Sequence, residues 1–195
     1  MKEEVFVMKK ERIEFLVLGK ILKGFVWIPA SQPKKVLILV HGMAEHIERY
    51  DGFATFLAKN NILVYGYDQR GHGDTDPDSL GYIDAADAFV QFRDDLASIV
   101  DEIKDKHPKI PLFLLGHSMG SFVTQFYLST LEPKISGAIL SGSNDKIGFV
   151  SNVGIFLANM QIYFKGPKHK SKLLDKMSFG AFNKPFVPNR TAFDW

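Results

Sequence analysis

The chain has 195 residues, enough for one domain with a real core but short for a large α/β enzyme. Lys and Arg number 24 against 22 Asp and Glu, scattered except for a cluster from Lys165 to Lys176, and nothing in that balance asks for nucleic acid. The absence of cysteine excludes a disulfide framework, a thiolate metal site and a cysteine nucleophile. Residues Met1 to Phe15 mix acids and bases where a signal peptide would need an uninterrupted apolar core. No run reaches the roughly eighteen apolar residues of a spanning helix, so the expectation is a cytoplasmic chain.

In chain order, Val5 to Leu18 and Ile21 to Ile28 read as two strands with a turn near Gly19, forming an antiparallel hairpin at one edge of a sheet. Pro29 to Lys35 is a polar, proline-bounded loop. Val36-Leu37-Ile38-Leu39-Val40 is a run of apolar β-formers, the pattern of a strand covered on both faces. It ends in His41-Gly42-Met43-Ala44-Glu45-His46, after which a helix is predicted with Tyr50, Phe53, Phe56 and Leu57 on one face, closing at Asn60-Asn61. A further strand, Ile62 to Tyr67, ends in Asp68-Gln69-Arg70-Gly71-His72-Gly73.

From Asp84 an amphipathic helix is predicted, with Phe89, Phe92, Leu96, Ile99 and Ile103 at three- and four-residue spacing and a stop at His107-Pro108. The next strand, Leu112 to Leu115, runs into Gly116-His117-Ser118-Met119-Gly120, and Phe122, Val123, Phe126 and Tyr127 then repeat at helical spacing. Glycines on both sides of a serine let a strand reverse sharply into a helix, a nucleophile elbow that leaves Ser118 strained with its hydroxyl exposed above the sheet. The strand Gly137 to Leu140 follows. Strand and helix alternate through this portion, which argues an α/β fold: a mostly parallel sheet with helices on both faces.

After Ser141 the alternation stops, and residues 1–145 are read as the core and 146–195 as a separate cap. Ile147 to Phe164 is predicted as an amphipathic helix carrying Phe149, Val150, Val153, Phe156, Leu157 and Met160 on one side. Such a helix either packs on the body or forms a lid with an apolar underside, and the two are compatible. Lys165 to Lys172 reads as a solvated connection, and Phe179 to Phe186 returns to apolar character.

Together the three loops, with Arg49-Tyr50, resemble the α/β-hydrolase superfamily and, within it, the monoglyceride lipase and lysophospholipase group, also described as serine aminopeptidase-like. The closing Asn189 to Trp195 is similar to a segment of that group's cap. The resemblance implies Ser118 as nucleophile and the backbone N–H groups of Met43 and Met119 as an oxyanion hole. Met43 stands where the group usually has a small residue, which narrows the pocket without removing the amide.

The resemblance also implies a catalytic acid and then a histidine on loops after later strands. Those strands are expected beyond Trp195, making the chain a partial α/β-hydrolase fold without its last strands. Without a base and an acid to orient it, Ser118 alone should be nearly inert. No residue within the chain replaces them convincingly. Asp145 follows the strand after the elbow but reads more simply as loop, His169 lies in a lysine-rich tract, and His46 and His72 precede the nucleophile. His41 and His117 are expected to bond the backbone or pack, Asp68 and Arg70 to brace their loop, and Asp194 matches a cap position.

The implied substrate is an acyl lipid ester, monoacylglycerol or lysophospholipid, with Phe149, Val153, Phe156 and Met160 along the acyl path. Transient contact with membrane surfaces is implied too, and no cofactor or metal is expected. An aminopeptidase-like peptidase and a binding module that lost its base remain as alternatives. Strand Gly137 to Leu140 is expected to leave an exposed edge open to pairing with another chain.

Overall fold

The computed structural model describes residues 7–144 and 149–178, with the side chains of 149–154, 156 and 178 left aside. The chain divides into two compact units, Met1–Ser143 and Asn144–Trp195.

The first unit is built on a six-stranded sheet in the order β1-β2-β4-β3-β5-β6. Strands β1 (Lys9–Val17) and β2 (Lys20–Ile28) form an antiparallel hairpin, and β2 pairs antiparallel with β4 (Ile62–Tyr67). From β4 onward the sheet is parallel, through β3 (Lys35–Val40) and β5 (Leu112–His117) to β6 (Gly137–Ser141). Leu18, expected at the end of the first strand, instead sits in a two-residue turn with Gly19 at φ of 48° and 77°. Two consecutive positive φ values are what a right-twisted hairpin requires of its turn.

Side-chain alternation along the strands sorts the core into two layers. Val36, Ile38 and Val40 of β3 point with Leu63, Tyr65, Leu112 and Leu114 into a cluster completed by Phe92, Leu96, Ile99, Val100 and Ile103 of α2 (Ala88–Lys106) and by Val123 and Tyr127 of α3 (Met119–Thr130). Leu37 and Leu39 point the other way, onto Trp27, Val64, Ile47, Ala54 and Ala58. The helices thus cover both faces, as expected.

Of the face predicted for helix α1 (Asp51–Lys59), Tyr50 and Leu57 pack against this second layer, whereas Phe53 and Phe56 are exposed and Ala54 and Ala58 are fully buried in their place. Small residues let the helix axis approach the sheet closely, and the aromatic residues cannot occupy that gap. Helix α2 begins at Ala88 rather than Asp84, because Asp87 is its N-cap and accepts from the amides of Phe89 and Val90 at 2.9 and 3.1 Å.

At the far edge β6 pairs only with β5 among the described residues, and Ile139 and Leu140 are exposed. In the second unit, α4 (Phe149–Lys165) matches most of the predicted cap helix. Lys172, expected in a connection, instead opens α5 (Lys172–Ser178). Residues Val5 and Phe6 of the first predicted strand, Ile147 and Gly148 of the cap helix, and the apolar segment Phe179 to Phe186 lie outside the described residues.

Candidate active site

Four parallel strands end on one edge of the sheet, the place where an α/β architecture gathers its functional loops. Register pairs Val40 with both Tyr67 and Gly116, and His117 with Ser141. The turns after β3, β4, β5 and β6 therefore emerge side by side.

The turn after β5 is a single residue. Strand β5 ends at His117, α3 begins at Met119, and Ser118 between them has φ 49° and ψ −117°. A non-glycine residue there carries about 1–3 kcal/mol of strain and persists only where its surroundings fix it. Here they do. The Ser118 amide donates to the Ser141 carbonyl at 2.8 Å, and the Ser118 carbonyl accepts from the Ser121 amide at 2.9 Å.

The flanking glycines are needed for close approach. A β-carbon on Gly120 would run into the carbonyls of Val40 and His41, and one on Gly116 would lie 2.6 Å from Thr124 Oγ1. Ser118 is half-buried, and its hydroxyl makes no hydrogen bond among the described residues. Met119 opens α3, so its amide has no acceptor within the helix.

The turn after β3 lies against it. A β-carbon on Gly42 would stand 3.2 Å from Ser118 Cβ and 2.7 Å from Glu45 Oε1. Glu45 is buried and collects three donors: the Gly42 amide, the Tyr50 hydroxyl at 2.8 Å and Arg49 Nη1 at 2.6 Å. Burial, reinforced by the Glu45 charge, pushes the Tyr50 phenol well above its usual range, so it stays a donor. Ala44 takes a positive φ of 59°. Met43 is 48% exposed, and its amide makes no hydrogen bond among the described residues.

His41 is fully buried beneath this turn. Its Nε2 accepts the Gln69 amide at 3.0 Å, which leaves the proton on Nδ1, donated to the Gly42 carbonyl at 2.7 Å. Desolvation lowers its pKa to about 3. The approach of Asp68 Oδ1 to Nε2 at 4.0 Å is therefore no ion pair, since that nitrogen is already an acceptor.

The loop after β4 is braced, as expected of Asp68 and Arg70. Asp68 accepts from the amides of Ile47 and Asp74, both at 2.8 Å, while burial raises its pKa despite them. Arg70 grips buried Asp95 through two bonds of 2.7 and 3.0 Å. His72 is buried with Nδ1 2.9 Å from the Arg70 carbonyl, and desolvation lowers its pKa.

The sheet edge thus brings Ser118, Met43 and Met119 together. Of the other histidines, His46 is half-buried, His117 holds Nδ1 3.4 Å from Ser141 Oγ, and His169 is exposed. Helix α4 carries Phe149, Val153, Phe156 and Met160; Met160 is exposed, and the side chains of the other three lie outside the described ones. Asp145 and Asp194 also lie outside the described residues.

Two residues were missed by sequence reasoning. Glu45 carries no assigned role in the motif His41 to His46, although a carboxylate three residues after Gly42 is a signal for capping a turn amide. Ser121, fully buried, donates its hydroxyl to the Ser118 carbonyl at 2.6 Å.

Residues 31–173 match the family described as Serine aminopeptidase, S33. The monoglyceride lipase of Rattus norvegicus is 34% identical over 122 residues, covering 63% of this chain and 39% of that protein. The chain spans about two fifths of that relative's length. A thermostable carboxyl esterase from Bacillus coagulans superposes with a TM-score of 0.72 at 25% identity, over 95% of this chain and 60% of that one. A soluble variant of monoglyceride lipase from Saccharomyces cerevisiae, solved with a substrate analog, gives 0.65 at 25% identity, over 86% and 56%. With its sheet order, its strained serine between β5 and α3, and a family match over most of its length, the chain belongs to the serine aminopeptidase S33 family of α/β-hydrolase fold proteins.

Proposed function

We propose that the protein is a serine hydrolase that cleaves carboxylic esters of acyl lipids, monoacylglycerol or lysophospholipid, through an acyl-enzyme on Ser118. The observation that carries this reading is the backbone of Ser118, strained at φ 49° and ψ −117° on the edge where the strands end, with its hydroxyl unengaged among the described residues. Strain of that kind is retained where it positions a reacting group.

Attack of Ser118 Oγ on the ester carbonyl forms a C–O bond and moves an electron pair onto the carbonyl oxygen. The amides of Met43 and Met119, on abutting turns, are placed to donate to that oxyanion, which stabilises charge as it develops. Collapse expels the glycerol alkoxide, which takes up a proton, and leaves the acyl group on Ser118. Water then releases the fatty acid. The hydroxyl proton requires a base, and that base and its orienting acid come from outside the described residues.

The apolar residues Phe149, Val153, Phe156 and Met160 recur along α4 and suit an acyl chain better than a peptide amine. Tyr163 and Phe164 are both exposed beside Lys165, a combination that suits transient contact with a membrane surface. A peptidase reading draws on the family's description alone.

Comparing turnover of a long-chain monoacylglycerol with that of an aminoacyl amide by the intact protein tests the assignment. Faster ester cleavage, abolished in Ser118→Ala, is expected. Faster amide cleavage would replace the lipase reading with the peptidase one. No turnover of either by a well-folded protein that carries its catalytic base would favour a binding module.

A further inference from the structure

An oxyanion donor is half of a peptide unit, and the other half is the carbonyl of the preceding residue. Because the unit is planar and trans, fixing the carbonyl direction fixes the N–H direction. A hydrogen bond accepted by the carbonyl also polarises the N–H at its far end. For Met43 that carbonyl belongs to Gly42, and for Met119 it belongs to Ser118. Both carry a bond from a fully buried side chain, which at Ser118 adds to the bonds from the amides of Ser121 and Phe122 at 2.9 and 3.4 Å.

We propose that each of these two peptide units is clamped through its carbonyl by a dedicated buried donor. His41 holds the Gly42–Met43 unit, and a hydroxyl relay from Gln125 through Ser143 and Ser121 holds the Ser118–Met119 unit. The inference rests on the oxyanion reading given above for what the clamps serve, and on geometry alone for the clamps themselves.

The direction of the relay follows from counting protons. Ser121 Oγ lies 2.6 Å from the Ser118 carbonyl oxygen and 3.0 Å from Ser143 Oγ, and a hydroxyl has one proton to give. The carbonyl can only accept, so Ser121 donates there and accepts from Ser143. Ser143 in turn accepts from Gln125 Nε2 at 2.7 Å. The donors therefore point one way, amide to hydroxyl to hydroxyl to carbonyl. The chain ties α3 to the loop after β6, whose Ser141 carbonyl already receives the Ser118 amide.

Hydroxyl bonds to a preceding carbonyl recur on α3: Thr124 to Gly120 at 2.8 Å, Ser129 to Phe126 at 3.1 Å and Thr130 to Phe126 at 2.6 Å. Such bonds alone would be ordinary helix decoration. The Ser121 bond differs in two respects. Its acceptor is the one positive-φ residue of this turn, and its donor is itself fed by two further groups.

The His41 clamp is fixed just as firmly. The Gln69 amide can only donate, so it holds Nε2 as acceptor and leaves Nδ1–H for Gly42, while Gln69 Nε2 returns a bond of 2.7 Å to the His41 carbonyl. Burial keeps the ring neutral. These are positioning residues, since neither touches the reacting atoms.

The sequence contains one Ser-Met step, at 118–119, and one Gly-Met step, at 42–43. Labelling serine or glycine with carbonyl ¹³C and methionine with ¹⁵N therefore isolates each peptide unit as a single NMR signal. In Ser121→Ala both nuclei of the 118–119 signal should move upfield while the 42–43 signal stays. Ser143→Ala, at an exposed position, should move it the same way by less, Ser121→Thr should restore it, and Ser129→Ala should move neither. A stationary 118–119 signal in Ser121→Ala, or an equal movement at 42–43, would overturn the relay. Should Ser121→Ala fail to fold, a stationary signal in Ser143→Ala would do so. Imidazole ¹⁵N spectra should show the Nδ1–H tautomer at His41; the other tautomer would overturn that half.

The rate at which a fluorophosphonate labels Ser118 should fall on the order of ten-fold in Ser121→Ala, less than the loss of a whole oxyanion donor. If the parent protein is not labelled, the hydrolase reading fails while the NMR signals still decide the clamps.

Discussion

The turns after β3 and β5 deliver neighbouring backbone amides to the same sheet edge, yet they are held by different physics. The first is organised around buried ionisable and aromatic groups: Glu45 with Arg49, Tyr50 and the Gly42 amide, and neutral His41 beneath. The second uses no charge at all. It relies on close backbone contact at Gly116 and Gly120 and on hydroxyl bonds to a strained serine. The difference teaches that acid and charge substitution should loosen the first turn, whereas only steric or hydroxyl changes should reach the second.

The largest effect should come from adding bulk to the second turn. Gly120→Val would drive side-chain carbon into the carbonyls of Val40 and His41, and a loss of about 4 kcal/mol or more in urea unfolding is expected. A loss under about 1 kcal/mol would mean that the helix start does not press on β3 as described.

Glu45→Ala comes next. It strands the Gly42 amide and leaves Arg49 without this carboxylate, with an expected loss of about 3 kcal/mol. Gly42–Met43 signals should shift while Ser118–Met119 signals hold. If both shifted equally, the two turns would not be independently held.

Acid provides a milder test. Folded His41 binds its proton only near pH 3, against an ordinary value of 6.5, so below 6.5 the unfolded chain takes up a proton that the folded one refuses. Stability from this group is complete above pH 6.5 and falls with acidification at up to about 1.4 kcal/mol per pH unit. Lowering the pH from about 7.5 to about 5 should cost about 2 kcal/mol through His41. His72, shifted the same way by burial, adds to the slope, and Asp68, raised by burial, opposes it. His41→Gln should flatten the pH dependence of urea midpoints; an unchanged slope would contradict a buried neutral imidazole.

At the small end, Lys106→Ala removes an exposed i, i+4 pair with Glu102 on α2, which belongs to neither turn. A change of about 0.5 kcal/mol or less is expected, with no movement of either methionine signal.

Much of this was legible in the sequence, where a physical rule acts locally. The continuous apolar run Val36 to Val40 gave away a strand covered on both faces, and a glycine-flanked serine between a strand and a helical pattern gave away the elbow. Legibility failed where tertiary contact overrides pattern. Phe53 and Phe56 look like a core stripe, but only Ala54 and Ala58 are small enough for the closeness of α1 to the sheet. The Leu18 turn shows no glycine at its first position, so its positive φ could not be anticipated. Ser121 and Ser143 are 22 residues apart, and no periodicity announces that their hydroxyls meet.

The central claim is tested most directly by treating the intact protein with a fluorophosphonate and sequencing the modified peptide. The account predicts one adduct per chain, on Ser118, absent in Ser118→Ala. A stoichiometric adduct on any other residue, or none on a protein that carries its catalytic base and whose NMR spectrum shows both turns in place, would contradict it.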